Sequence, residues 1–202
     1  MSSERSGPIA GVVLAAGNST RMGRNKLLLE LDGEPVIRRG VGRALDAGLS
    51  PVIVVMGFEA DRVREALSGL TFHEVINAEF EAGINSSVRL GIGAVPDQAI
   101  AAVVMLPDMP FVTTSMLETL MARYRESEAP LVISRYGDVN APPMLHGRLL
   151  FPEFDRPDGE GCGKHVVRRH RDEAVVVECD PAALADLDVP EDYERVKAEL
   201  TT

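Results

Sequence analysis

The chain predicts an α/β fold, a Rossmann-like three-layer sandwich with a mainly parallel sheet, on three observations. Short apolar runs rich in β-branched residues recur along it, segments with helical spacing lie between most of them, and a glycine-bearing loop directly follows the first run. Strands alternating with helices favour parallel pairing through right-handed crossovers, with both sheet faces covered. The 202 residues fit one such domain, placed at 9–202 behind a flexible segment 1–8.

The expected strands are Ile9 to Leu14, Val52 to Met56, Phe72 to Ile76, Ala101 to Leu106, Leu131 to Ser134 and Ala174 to Val177. The first expected helix is Pro35 to Ala47. Ile37, Val41, Ala44 and Leu45 share a face there, Pro35 suits the first turn and Gly48 can cap, while Gly40 and Gly42 carry a propensity cost. Further helices are expected at Glu59 to Leu67, Asn85 to Ala94, Thr113 to Arg125, Cys162 to His170 and Glu191 to Leu200. The proline-bearing stretch Asp138 to Asp158 reads as an insertion or lid, and no internal repeat or low-complexity tract is present. In parallel sheets ligands sit at the carboxyl ends of strands, so the loops after Leu14, Ile76 and Leu106 are the places to expect a site.

Composition narrows the class of function. Basic residues number 21 against 31 acidic ones, a net charge of −10, which repels a polyphosphate backbone and argues against nucleic acid as a partner. A small phosphorylated ligand remains compatible, because it needs only a few cations and oriented backbone amides. Cys162 and Cys179 are too few for a disulfide framework, which favours a reducing cytoplasm. Met1 to Pro8 lacks an apolar signal core and no window is long and apolar enough for a membrane span, so no membrane association is expected.

The loop from Leu14 to Lys26 collects small residues, glycines and the cations Arg21, Arg24 and Lys26. Ala15, Ala16 and Gly17 allow backbone amides to approach phosphate oxygens, and Arg21 and Lys26 can offset their charge; a solvated turn with ordinary surface cations is the alternative. Gly17 and Gly23 are too far apart for a dinucleotide GxGxxG, and no GxxxxGK[ST] occurs. Gly159 to His165 only imitates the latter, with Asp158 where a glycine is needed and His165 in place of the hydroxyl residue after Lys164.

Asp108, in Leu106-Pro107-Asp108-Met109-Pro110, puts a carboxylate at the end of an expected buried strand, where Mg²⁺ could take one or two carboxylates plus substrate phosphates. A turn-forming Asp before Met-Pro is the alternative. His146, His165 and His170 match no zinc spacing with the two cysteines and are expected to be surface or satisfied histidines.

The string Leu14-Ala15-Ala16-Gly17, Ser19, Arg21-Met22-Gly23 and Lys26 resembles the LAAGxSxRMGxxK signature of molybdenum cofactor nucleotidyltransferases, and later segments extend the likeness in order from about Gly11 to Tyr193. Asp108 falls on the family's GDxP or DMP motif. Leu184 to Tyr193 resembles its DIDTPEDY segment, which implies a second metal ligand at Asp188, with Asp186 the alternative because the two alternate along an extended chain. Capping of the helix at Pro190 is another role open to Asp188. Asn77 to Gly91 resembles N-x(5)-GMSxSLxxG, keeping Asn77, Gly83, Ser87 and Gly91 but with Ile84 for the methionine. Two segments depart from the family: Ala141-Pro142 replaces the Gly-His of a GHPVLF-like stretch, and Asp158 to Lys164 stands for a shorter GDxGAR.

The resemblance implies transfer of CMP from CTP to molybdopterin with release of pyrophosphate, using Mg²⁺ on Asp108 and Asp188. Leu14, Ala15, Ala16, Gly17, Arg21, Lys26, Asn77, Gly83 and Ser87 would contact the nucleotide, with Arg21 and Lys26 acting in catalysis. It also implies transient contact with a molybdoenzyme. Ala15-Ala16 favours cytidine, since guanylyltransferases of this fold usually have Ala-Gly-Gly. A guanylyltransferase, a sugar-phosphate nucleotidylyltransferase, a nucleotide-dependent oxidoreductase on the same frame and a non-catalytic carrier are the rivals.

Overall fold

The computed structural model describes residues 5–155 and 163–200. A seven-stranded sheet forms its centre. In chain order its strands are β1 (Ile9–Ala15), β4 (Val52–Met56), β5 (His73–Ile76), β6 (Ala101–Met105), β7 (Leu131–Tyr136), β8 (Val139–Gly147) and β9 (Val175–Cys179), with β2 (Glu30–Leu31) and β3 (Glu34–Pro35) pairing apart as a small antiparallel ribbon. The spatial order is β5-β4-β1-β6-β8-β7-β9, and only β8 runs against the rest. All six strands expected from sequence are present.

Two apolar layers explain why the strands read as continuous hydrophobic runs. Side chains alternate across a strand, so Ile9 and Val13 of β1 face one core while Ala10, Val12 and Leu14 face the other. The first core is closed by α1 (Val36–Asp46), α2 (Ala60–Ala66), α4 (Thr114–Glu126) and α6 (Pro190–Leu200). The second is closed by α3 (Ile84–Gly93), α5 (Gly163–Arg169) and the 3-10 helix Arg148–Asp155. No helix among the described residues is long and apolar enough to cross a membrane.

The stretch expected as an insertion or lid is corrected here. Its first half is β8, wedged between β6 and β7, and its second half is the 3-10 helix. Pro142 and Pro143 hid the strand, since proline cannot donate to a ladder. The register shifts between Ile133 and Arg135 of the neighbouring β7, so the ladder is interrupted beside those prolines. The expected helix start at Cys162 and the glycine-rich 159–162 stretch lie outside the described residues. At the N-terminus, Arg5 Nη1 donates to the Tyr124 and Ala129 carbonyls at 2.6 and 3.1 Å.

Two glycines inside helices are explained by close approach rather than flexibility. A Cβ on Gly40 of α1 would lie 2.9 Å from Pro107 Cβ, so α1 seats directly against the turn that carries Asp108. A Cβ on Gly91 of α3 would collide with Val12 Cγ1 and lie 3.0 Å from Val55 Cγ2, which sets α3 hard against β1 and β4. Gly42 has nothing within 4 Å of the same position.

These glycines should respond with opposite signs. Alanine in a helix gains up to about 1 kcal/mol over glycine, whereas overpacking a tight contact costs about 1–3 kcal/mol. Gly42→Ala should therefore raise the urea midpoint and Gly91→Ala lower it; equal shifts in both variants would show that the α3 to β1 contact is not tight.

Candidate functional site

The strand order reverses direction of growth at β1, with β4 and β5 on one side and β6 on the other, and the carboxyl ends of β1 and β6 open a crevice there. A cleft of about 370 Å³ occupies it. The loops after β1, β5 and β6 all border it, through Ala16 to Arg21, Phe80 to Ile84 and Asp108 respectively.

At its charged end three chain segments converge. The Lys26 ammonium contacts Asp108 Oδ2 and also donates to Asp188 Oδ1 at 3.1 Å, and Arg21 Nη2 reaches Asp188 Oδ2 at 2.9 Å. Their side chains differ in exposure: 16% for Lys26 and 14% for Asp108, against 36% for Asp188 and 67% for Arg21. The Lys26–Asp108 pair is thus shielded from solvent, whereas an exposed pair such as Arg21–Asp188 contributes only about 0–1 kcal/mol. Burial alone would lower the Lys26 pKa, but Asp108 and then Asp188 outweigh it, so the pKa is raised and the ammonium stays charged.

Local backbone structure fixes each charge. Asn25, almost fully buried, accepts from Leu27 N at 3.1 Å and so caps the short 3-10 helix that starts at Lys26. Ser19, in the left-handed region at φ 50°, accepts from Lys26 N at 3.2 Å. Asp108 is tied to the C-terminal segment by Leu187 N donating to its carbonyl at 3.2 Å. Asp192 accepts from the Asp188 and Val189 amides at 3.2 and 3.1 Å, so it, and not Asp188, caps α6 and leaves the Asp188 carboxylate for the cations.

The buried Asp108 Oδ1 has no hydrogen-bond partner among the described residues. An unmatched buried carboxylate oxygen is unfavourable, and with Asp188 held on the same ammonium the two carboxylates suit a hard divalent cation. Asp186 has no ion pair among the described residues, and desolvation together with Asp108 and Asp188 pushes its pKa up. Of the two acidic candidates it is therefore Asp188 that meets the basic groups.

The other candidate residues separate into two groups. Leu14, Ala16, Gly17, Arg21, Lys26, Gly83, Ser87, Asp108 and Asp188 line the cleft. Ala15 and Asn77 do not. Ala15 is buried in the first core, because alternation along β1 turns it away from the crevice. Asn77 is a latch: its Nδ2 donates to Ser86 Oγ and Ser87 Oγ, both at 2.9 Å, and its Oδ1 accepts from Glu79 N at 2.9 Å. It fastens the β5 loop to the start of α3 instead of offering its amide to a ligand. Asn25 had no role in the sequence reading, since its capping depends on the turn that it makes.

A second cavity of about 460 Å³ adjoins the first and shares Leu14, Ile84 and Leu106 with it. Val104, Met144 and His146 form its sheet side, with Phe154 and Val167 opposite. The expectation of surface or satisfied histidines fails at two of three positions. Among the described residues, His146 is 4% exposed with an unpartnered Nδ1, and the buried His165 Nδ1 also has no partner, while His170 Nε2 meets Glu153 at 2.6 Å. His146 points inward because β8 is a strand, which the sequence reading missed.

The family described as the MobA-like NTP transferase domain matches residues 11–175, and the chain belongs to that family of nucleotidyltransferases. The purine catabolism protein PucB of Bacillus subtilis (strain 168) is 29% identical over 209 residues, covering 98% of this chain and all of that one. Rv0371c from Mycobacterium tuberculosis H37Rv has a TM-score of 0.80 at 29% identity, over 95% of this chain and 98% of that one, and a second structure of it was solved with manganese. The bifunctional protein GlmU of Geotalea uraniireducens is 27% identical over 79% of this chain, but this chain spans only about a third, 34%, of that protein.

The buried His146 predicts a pH effect on stability. Desolvation lowers its pKa to about 4 from 6.5, so below pH 6.5 the unfolded chain takes up a proton that the folded chain refuses. Stability is thus lost as pH falls from 6.5 toward 4, by at most about 3 kcal/mol. His146→Phe should flatten this part of the urea stability profile; an unchanged slope would place the imidazole in contact with water.

Proposed function

We propose that the protein transfers CMP from CTP to a phosphate of molybdopterin and releases pyrophosphate. The carrying observation is the convergence of Lys26, Asp108 and Asp188 at one end of a cleft whose other wall is the open Ala16-Gly17 backbone. An oxygen of the acceptor phosphate attacks the α-phosphorus of CTP in line, a new P–O bond forms, and the bond to the β-phosphate bridge breaks with its electrons leaving on pyrophosphate. The acceptor phosphate is already ionised near neutral pH, so no general base is required.

Asp108 and Asp188 would hold Mg²⁺, which supplies charge neutralisation on the phosphate oxygens. Lys26 and Arg21 orient the triphosphate and stabilise charge that moves toward pyrophosphate. Cytidine is favoured by the Ala15-Ala16 pair, since guanylyltransferases of this fold usually have Ala-Gly-Gly there, and Ala16 lines the cleft. Manganese in the Rv0371c structure supports a divalent ion, and the family match supports an NTP as donor. The name of PucB attaches that relative to purine catabolism, so the acceptor is the part of this reading most open to test.

Asp108→Asn should lower turnover roughly a hundredfold or more while leaving thermal unfolding unchanged in cooperativity, read as pyrophosphate release with Mg²⁺, CTP and molybdopterin. Full activity at limiting Mg²⁺ would remove Asp108 from the metal site. In calorimetry the protein should bind CTP in a Mg²⁺-dependent manner, and tenfold tighter binding of GTP would overturn the cytidine assignment.

Lys26→Ala should slow the chemical step by about a hundredfold, corresponding to about 3 kcal/mol of barrier, with a smaller loss of CTP affinity. Arg21→Ala, at an exposed position, should do the reverse. Single-turnover kinetics separates the two: normal chemistry with weakened binding in Lys26→Ala would show that the ammonium only greets the triphosphate.

A further inference from the structure

The turn that carries Asp108 is weakly held from within. Pro107 and Pro110 have no amide hydrogen to donate, and the bonds from Met109 N to the Leu106 carbonyl and from Val112 N to the Met109 carbonyl are 3.4 and 3.2 Å long. Contacts from outside place it instead. Pro107 lies on Gly40 of α1, the Leu187 amide donates to the Asp108 carbonyl at 3.2 Å, and Arg43 Nη1 of α1 donates to the Pro110 carbonyl at 2.6 Å. Gly40 and Arg43 are three residues apart and so share one helix face. Asp108 lies between the two prolines that this face holds.

We propose that Arg43 is a positioning residue for Asp108: by fixing Pro110 while Gly40 seats Pro107, it keeps the Asp108 carboxylate in register with Lys26 and Asp188. The proposal rests on reading these carboxylates as the metal end of the site and deepens it. Arg43 is half-buried and forms no ion pair among the described residues, so its charge is held out of water against a backbone carbonyl. Burial first, and then the neighbouring Arg39, lower its pKa, with Glu34 opposing them, yet a guanidinium stays charged. A charged donor binds a carbonyl more strongly than an amide does. Because Leu187 N is bonded to Asp108 O, a turn released at Pro110 would also loosen the segment that carries Asp188. Arg38 provides the contrast on the same helix. Its Nη1 donates to the Ala66 and Ser68 carbonyls at 3.2 and 2.8 Å, the same chemistry joined to α2 and not to the site.

The test compares wild type, Arg43→Met, Arg43→Lys and Arg38→Met without nucleotide or acceptor. Hydrogen exchange is read at the Leu187 amide against the core amide of Val103 in β6, and Mn²⁺ affinity is read by paramagnetic resonance. Arg43→Met should speed Leu187 exchange by about tenfold or more relative to Val103 and weaken Mn²⁺ binding by about tenfold or more. Arg43→Lys, which keeps a charged donor, should recover most of both, and Arg38→Met should leave both as in wild type whatever it does to the urea midpoint. Equal acceleration of Leu187 and Val103 in Arg43→Met would make the residue merely structural and overturn the proposal. So would unchanged Leu187 exchange, unchanged Mn²⁺ affinity, or the same effects in Arg38→Met. A wild type that binds no Mn²⁺, with Leu187 responding to Arg43 as expected, would instead sink the metal assignment and support the placing of Asp108 by Arg43.

Discussion

The structure's charged end depends on one ammonium. Lys26 Nζ sits between Asp108 and Asp188, drawn from the β1 loop, the β6 loop and the segment before α6, the last 162 residues away in sequence. Each carboxylate is placed by contacts that make sense only with the others in position. Pro107 lies on Gly40, the Leu187 amide binds the Asp108 carbonyl, and the fully buried Leu187 side chain anchors the strand of chain that carries Asp188. Removing one partner from such a shielded set leaves an uncompensated charge, which typically costs about 3–5 kcal/mol out of a total stability of about 5–15 kcal/mol. Site and fold are therefore coupled: the last segment of the chain docks onto the first loop through the groups to which the proposed reaction is assigned.

Legibility in the sequence followed the range of the forces involved. β1, β4, β6 and β7 are buried on both faces, so continuous apolar runs reveal them, and α1 was visible because its apolar face is regular. β8 was not. Its outer half, from Val139 to Pro142, is exposed or half-buried and runs into a second proline, Pro143, so local rules mark it as loop while its pairing with β6 and β7 is a tertiary fact. The same distinction holds in the cleft. Arg21, Lys26 and Asp108 stand out by charge at strand ends, and the choice between Asp186 and Asp188 needed the direction of a non-regular segment. Asn77 and Ala15 shared a motif with cleft residues, but a motif records neighbourhood, and hydrogen bonding and strand alternation decide which member faces the cavity.

The two cavities divide the work by polarity. The first concentrates charge and open backbone at the switch point. The second is largely apolar and lies beside β8, the strand that alone runs against the others. Inserting an antiparallel strand next to β6 puts Met144 and His146 on the same face as Ala102 and Val104, which widens the second core into a pocket instead of closing it. The feature least visible in the sequence thus shapes the side of the molecule where this chain departs most from the family's motifs.

Electrostatics constrains what the first cavity can hold. Two carboxylates, Asp108 and Asp188, meet two cations, Arg21 and Lys26, there, with the Asp186 carboxyl near enough to feel them, within a chain of net charge −10. A triphosphate placed there alone would meet a surplus of negative charge at short range, where shielding from solvent makes repulsion strong. A divalent cation held by the carboxylates would reverse that balance and would leave the Lys26 ammonium available to a phosphate. Burial first, and then the neighbouring Asp108 and Asp188 carboxylates, push the Asp186 carboxyl up, while Asp108 Oδ1 finds no hydrogen-bond partner among the described residues. On the proposed reading, acidic residues that look unsuited to a phosphate site are what would make its affinity for nucleotide depend on metal.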